Sequence, residues 1–270
     1  MKENKSITFS ASAQVNCNLM VSSHERSGTH FAINAIALNA PYTSDPEIAF
    51  DPWASGNIAN YCSFRSVQNL FDTLQRNNCN SVIKNHFHAD FFFDGSGGSV
   101  LASTKVVHVI RDPIEVLASF RRFIHHLSDK GHREGPLLHD RLAFMLAEPA
   151  WNMLRYQPRQ YGSIIERWID HSAAWLRAAA QHPNVRVVRY RDLNEDYEAT
   201  LSGLLAFLGH PAAKPLRRPD AKINTVYIPN NESLSPEEKH HLTQALRDRL
   251  APDARTRLDA LLGYLDGVGA

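Results

Sequence analysis

Three short stretches carry side chains from which anion chemistry can be built: Arg26-Ser27-Gly28-Thr29-His30, Lys84-Asn85-His86, and Arg111-Asp112-Pro113 with Ser119 beyond it. In the first, Gly28 lets the backbone approach an oxygen closely, Ser27 and Thr29 bring hydroxyl donors, and Arg26 brings a permanent charge. A loop of this kind that opens a helix also offers unpaired N–H groups at the positive end of the helix dipole, a site for an anion and most often a phosphate. The nucleoside-triphosphatase loop G-x-x-x-x-G-K-[ST] requires Lys after its last Gly and then a hydroxyl for Mg²⁺. Here Thr29 and His30 follow Gly28, and the cation has moved to Arg26. That arrangement points to a nucleotide whose transferred group carries less charge than a phosphoryl. His86, an imidazole of near-neutral ordinary pKa, suits a general base, with Lys84 as a companion cation and His88 as the competing base. A Ser/Gly turn capping an ordinary helix explains the first stretch alone; it does not explain all three.

The elements that must position these residues are those of a parallel α/β sheet. An apolar run from Asn18 leads into the loop, and Phe31, Ile33, Ile36 and Ala37 leave it at helical spacing. A second strand, Ser81 to Lys84, delivers Lys84 and His86 at its carboxyl end, where such sheets bind ligands. The third, Lys105 to Ile110, is mostly β-branched without alternation, as expected with helices on both faces. It ends at Arg111, and Pro113 starts a helix through Val116, Leu117, Phe120 and Phe123. Arg111 and Ser119 then share neighbouring faces and could grip a second phosphate.

The intervening segments are less regular. Pro41 to Phe64 reads as an aromatic loop, Ser66 to Arg76 as a short helix, and His125 to Pro158 as irregular chain. His125, His126, His132 and His139 form no pair at ligand spacing on a clear helix, so they are read as solvated or acceptor-facing, and no metal is assigned. A long helix from Tyr161 puts Ile164, Ile165, Trp168, His171, Ser172, Trp175 and Leu176 on one stripe, which by itself reads as core. A fourth strand, Val185 to Tyr190, precedes a helix ending at Phe207-Leu208-Gly209. A basic loop from Lys214 to Asn231 holds Arg217, Arg218 and Lys222, and Ser235-Pro236-Glu237-Glu238 is a capping box for a C-terminal helix.

With 270 residues the chain can bury a core without staples, and its formal charge of +1 argues against nucleic-acid binding by general charge. Cys17, Cys62 and Cys79 form no C-x-x-C pair and are read as reduced thiols in a cytoplasmic protein. Neither a signal peptide nor a membrane span is read in the sequence. The expectation is one domain over 1–270, with 1–17 extended and 125–160 an acceptor-side insertion.

These motifs, taken in order, resemble those of the P-loop sulfotransferases that use 3′-phosphoadenosine-5′-phosphosulfate (PAPS). Arg26-Ser27-Gly28-Thr29 is similar to the family's 5′-phosphosulfate loop [KR]-S-G-T, Lys84-Asn85-His86 to K-x-H, and Arg111-Asp112-Pro113 with Ser119 to its 3′-phosphate motif. Trp168, His171 and Trp175 resemble W-x-x-H-x-x-x-W, while Tyr190-Arg191-Asp192 and Phe207-Leu208-Gly209 resemble Y-E-D and F-L-G. The resemblance implies a single three-layer α/β domain with a central parallel sheet and PAPS as co-substrate. Ser27, Gly28 and Thr29 would hold the 5′-phosphate, Phe31 would stack on adenine with Tyr190 beside it, and Arg111 and Ser119 would bind the 3′-phosphate. Arg217 and Arg218 fall near the family's R-K-G loop, although Pro219 replaces its Gly. His30 stands where the family has a hydroxyl residue, and supplies a phosphate contact only through its imidazole.

The implied reaction is in-line sulfuryl transfer to an acceptor hydroxyl, with His86 as base and Lys84 and Arg26 neutralising charge, and no metal. The alternatives are a P-loop kinase, which needs Mg²⁺ and a carboxylate to hold it, and a nucleotide-binding protein without turnover. The expected acceptor is a small molecule or a carbohydrate, with no nucleic-acid partner and no membrane insertion; a homodimer is left open.

Overall fold

The computed structural model of the chain describes residues 18–40, 82–93, 104–128, 140–149, 156–210, 215–219 and 234–267. Four strands, β1 (Asn18–Ser23), β2 (Val82–Asn85), β3 (Thr104–Ile110) and β4 (Val185–Arg189), form a parallel sheet in the order β2-β1-β3-β4. The chain leaves β1 toward β2 on one side and resumes through β3 and β4 on the other, so the winding reverses between β1 and β3. A reversal of that kind opens a crevice beyond the carboxyl ends of the two strands. The loop after Ser23 and the turn at Arg111 therefore flank one crevice, and register carries β2 alongside, with Val21 opposite both Lys84 and Val107.

Among the described residues the helices are α1 (Thr29–Ala37), α2 (Asp90–Phe93), α3 (Pro113–Ser128), α4 (Arg141–Leu146), α5 (Ile164–Gln181), α6 (Tyr190–Glu195), α7 (Tyr197–Phe207), α8 (Pro236–Arg249) and α9 (Pro252–Asp266). Leu19, Val21, Val107 and Val109 pack against Ile33 and Ile36 of α1 and Leu201 and Leu204 of α7. Met20 and Val106 enter the opposite layer with Phe92 and Trp175. Successive strand residues thus enter different dry layers, which is why the strands read as unbroken apolar runs. Each such Val or Leu contributes about 1.5–3 kcal/mol on burial.

Several boundaries differ from the sequence reading, each for a local reason. The segment read as irregular after His125 contains α4, whose Asp140 carboxylate accepts from the amides of Leu142 and Ala143. The long helix starts at Ile164 rather than Tyr161, because Ser163 caps it by accepting from the Glu166 amide. β4 stops at Arg189, and Tyr190 opens α6. The capping box at Ser235 is formed, but Pro252 opens a second C-terminal helix after the first. The aromatic loop at 41–64, the helix at 66–76, the three cysteines, His132, His139 and Lys222 lie outside the described residues, as do the side chains of His125 and His126. Among the described residues no helix is long and apolar enough to cross a membrane, and no group of three or more His, Cys, Asp or Glu could hold a metal ion.

Candidate active site

Between β1 and α1 two residues have left-handed backbone, Arg26 (φ 70) and Gly28 (φ 96). A non-glycine residue held there stores about 1–3 kcal/mol of strain and needs anchors around it. Glu25 supplies one, its carboxylate accepting from both terminal nitrogens of Arg167 on α5 at 2.8 and 2.9 Å. The Arg26 side chain supplies another: Nε donates to Ser119 Oγ on α3 at 3.2 Å, and the guanidinium lies 5.1 Å from the Phe123 ring centre. Burial, then Arg111 and Arg122, lower the Arg26 pKa to about 10.

The loop has the features of an anion cradle. Gly28 caps α1 without a side-chain bond, so first-turn amides stay open to a ligand. Ser27 Oγ is buried with no hydrogen-bond partner among the described residues, and an orphaned buried hydroxyl calls for one. Thr29 Oγ1 lies 2.5 Å from Ser23 Oγ, which ties the start of the helix to the end of β1. Gly28 is also required by Tyr190: a Cβ at position 28 would enter its ring. Gly28→Ala is therefore expected to lose at least about 1–2 kcal/mol from the backbone alone. It should also weaken nucleotide binding, because either the loop or Tyr190 must move. Thermal melts and nucleotide titration check both effects, and wild-type values in both would mean that Tyr190 does not pack on the loop.

Across the crevice, Arg111 donates from Nε to Glu115 at 2.9 Å and lies 4.5 Å from the Tyr190 ring centre. An arginine ending a buried strand needs an anion, and Glu115 meets part of that need; Lys239 also bonds Glu115. Phe31 meets Tyr190 and Tyr197 edge-on, each at 6.1 Å, and the Arg218 guanidinium covers Phe31 and Tyr197 at 5.6 and 5.2 Å. The sequence-derived residues Phe31, Tyr190 and Arg218 are thus brought together beside the loop. Arg217 acts differently, through its backbone: its carbonyl accepts from Asn39 Nδ2 at 2.7 Å and Tyr197 OH at 2.6 Å, which pins the basic segment to the turn after α1 and to α7.

Lys84 and His86 reach the same cleft from β2. Lys84 Nζ lies 3.1 Å from His30 Nε2, and burial, then Arg26, lower its pKa to about 7. His86 Nδ1 lies 2.8 Å from the Ser23 carbonyl oxygen, and since a carbonyl only accepts, Nδ1 carries the proton and Nε2 the lone pair. Burial first and Lys84 second lower its pKa to about 3, so the ring is neutral and able to accept at any working pH. His88 is committed elsewhere. Its Nε2 lies 3.1 Å from Asp170 Oδ2, and its Nδ1 accepts from the Asp90 amide at 3.2 Å.

Two supporting groups were not singled out from the sequence. Arg167, 1% exposed, bonds Glu25 and also His24 Nε2 at 2.7 Å. Asp170 accepts from Arg159, Tyr161 and Arg257 as well as facing His88. Burial raises the Asp170 pKa, but these partners outweigh it and hold the carboxyl well below its ordinary range. The available signal was a charged residue inside an apolar stripe, since Arg167 shares a helical face with Ile164, Trp168 and His171.

Comparison with known proteins places the chain in a family. The model of the sulfotransferase domain matches residues 17–251, and the chain belongs to the sulfotransferase domain family. Among solved structures, the mouse sulfotransferase SULT7A1 complexed with PAP is similar over 91% of this chain and 90% of its own, at 15% identity and a TM-score of 0.52. The sulfotransferase from Alicyclobacillus acidocaldarius is similar over 92% and 96%, at 14% identity and a TM-score of 0.47. At 15% identity the first likeness speaks to the shared fold. None of the curated proteins matches the chain.

Proposed function

We propose that the protein transfers the sulfuryl group of PAPS to a hydroxyl of a small molecule or carbohydrate, with His86 as general base. The observation that carries this reading is the bond from Arg26 to Ser119, which joins the loop after β1 to the helix after β3. Two cationic strand ends then serve one ligand, and the orphaned Ser27 hydroxyl, the open α1 amides and the Arg111–Tyr190 pair fit a nucleotide with an anion at each end. PAPS supplies the activated sulfuryl group. Ser27, Gly28, Thr29 and Arg26 hold its 5′ end, Arg111 and Ser119 its 3′-phosphate, with Arg218 and Arg217 on the same side, and Phe31 and Tyr190 flank the adenine. His86 Nε2 takes the acceptor proton, while Lys84 and Arg26 face the charge that gathers on the transferring group and the leaving oxygen. Sulfuryl carries one negative charge, which side-chain cations can offset without a metal.

Calorimetry against adenosine 3′,5′-bisphosphate (PAP) and against Mg-ATP, followed by turnover of labelled PAPS over hydroxyl acceptors, tests the reading. Binding of PAP with label transfer is expected. Binding of Mg-ATP with phosphate transfer would move the chain to kinase chemistry, and PAP binding without turnover on any acceptor would leave a binding protein. Lys84 adds a pH signature. Its charged form is the useful one, and in the free protein it is lost above about pH 7. With acceptor saturating, kcat/KM for PAPS should fall about tenfold per pH unit beyond that point, and Lys84→Arg, whose guanidinium does not titrate there, should flatten the profile. A wild-type profile flat to about pH 9 would remove Lys84 from the transfer step.

A further inference from the structure

His30 occupies the second position of α1, at the mouth of the anion cradle, and its ring is engaged with Lys84 alone among the described residues. Lys84 in turn has no other side-chain hydrogen bond there. Below about pH 7 Lys84 is an ammonium group with only N–H to offer, so there His30 Nε2 is the acceptor and the imidazole neutral. Among the described residues the charged and titratable groups acting on it are Lys84 on β2, His86 beyond β2 and Arg26 in the loop, and none of these is a carboxylate. Glu25 is taken up by Arg167, and Glu115 by Arg111 and Lys239.

We propose that His30 is a proton-coupled ligand of the donor's 5′-phosphate: neutral and accepting from Lys84 while the cleft holds no anion, protonated and donating to a phosphate oxygen once it does. The inference rests on the reading of the cleft as a PAPS site. A hydroxyl at this position would donate to phosphate at any pH. To donate from Nε2 the imidazole must either shift its proton across from Nδ1 and stay neutral, or gain one and become cationic beside the phosphate; in both cases it lets Lys84 go, and the charged form answers the anion more strongly. That release is useful, because the three N–H groups of Lys84 become available to the transferring group. Burial and the surrounding cations disfavour the imidazolium in the free protein, and a nucleotide carrying an anion at each end reverses the sign of that field. One proton is taken from solvent per nucleotide bound, the only bond formed being N–H on the ring. Nucleotide affinity must then rise as pH falls, by up to tenfold for each unit by which the bound pKa exceeds the free one.

Calorimetry of PAP binding to the full chain at about pH 6, in two buffers of different ionisation enthalpy, reads the proton count directly. Lys84 is already charged there, so its own uptake falls at higher pH. The wild-type chain should take up about one proton more than either His30→Gln or His30→Thr. His30→Gln keeps an acceptor for Lys84 and an amide donor for phosphate but cannot titrate, so it should bind PAP with an affinity about tenfold less dependent on pH than the wild type between about pH 6 and pH 8. Equal proton counts in the three proteins overturn the proposal while leaving the PAPS reading intact; the difference is the readout because the phosphates of PAP, which ionise at about pH 6, shift the absolute count alike in all three. Absence of any PAP binding by the wild type removes the PAPS reading and this inference together.

Discussion

His86→Ala is expected to lower kcat by about 10²–10⁴-fold, the range of general-base catalysis. PAP affinity should change by no more than about twofold, as befits a group acting in the transition state alone. The proposed choice of this histidine over its neighbour draws its support from the hydrogen bonds of each. His86 donates from Nδ1 to the Ser23 carbonyl, which fixes the tautomer and leaves Nε2 as the acceptor. His88 has both nitrogens engaged, by Asp170 and by the Asp90 amide, so it holds the turn after β2 and has no lone pair to offer. A pKa of about 3 makes His86 a weak base in the free protein, yet it also means the ring is not lost to prior protonation near neutral pH. Its basicity rises when anionic charge gathers beside Lys84, the second largest cause of the lowering. In kcat/KM for PAPS His86 should therefore contribute no break near the ordinary histidine value of about 6.5, and the break that the donor's own 3′-phosphate gives at about 6 should persist in His86→Ala. A His86→Ala chain that turns over at the wild-type rate would assign the acceptor proton to another group, and a break near the ordinary histidine value that His86→Ala removes would mean that His86 is solvated in the free enzyme.

The parts of this site that were legible in the sequence are those governed by local rules. Strand ends could be read because buried parallel strands are unbroken apolar runs and the polar residues that follow them stand out: Arg26 after β1, His86 after β2, Arg111 after β3. The α4 helix was missed because six residues are too few to show a helical period, and its start signal, Asp140 bonding two amides, resembles any polar turn. The split of the C-terminal helices lay in Pro252, which opens α9 as Pro236 opens α8. What could not be read were contacts between elements far apart in the chain. Nothing near Lys84 announces that its partner is His30, and nothing near Glu25 names Arg167. Arg111 shows the limit from the other side: its place at a strand end suggested an anion from outside the chain, whereas Glu115, one helical turn later, already meets part of that need.

The distant pair of Glu25 and Arg167 carries the largest expected effect on folding. Arg167→Met should lower stability by about 3–5 kcal/mol, the cost of stranding one member of a buried ion pair, and the melting temperature by about 10 °C. Arg167 and Glu25 are 1% and 12% exposed, and the guanidinium also donates to His24, itself kept neutral with a pKa lowered to about 4 by burial above all. Burial by itself raises the Glu25 pKa, and Arg167, with His24 and His86, more than reverses this to hold the carboxyl below its ordinary range. A carboxyl depressed in the folded state adds stability above its unfolded pKa of about 4 and loses it as pH falls through the folded value. Without Arg167 the burial effect takes over and the folded pKa rises, so the variant's deficit should be largest at neutral pH and narrow on acidification as Glu25 becomes protonated. Glu25→Gln combined with Arg167→Met should recover part of the loss, since neither partner is then left charged and alone. Denaturant unfolding of the four proteins at about pH 7 and pH 5 measures the coupling, and a double variant as unstable as the sum of the singles would show that the two side chains do not act as a pair. The consequence reaches the chemistry, because Glu25 directly precedes the strained Arg26. A loop that loses this anchor on α5 can relax toward ordinary backbone angles, and the Arg26–Ser119 bond that joins the two strand ends would go with it.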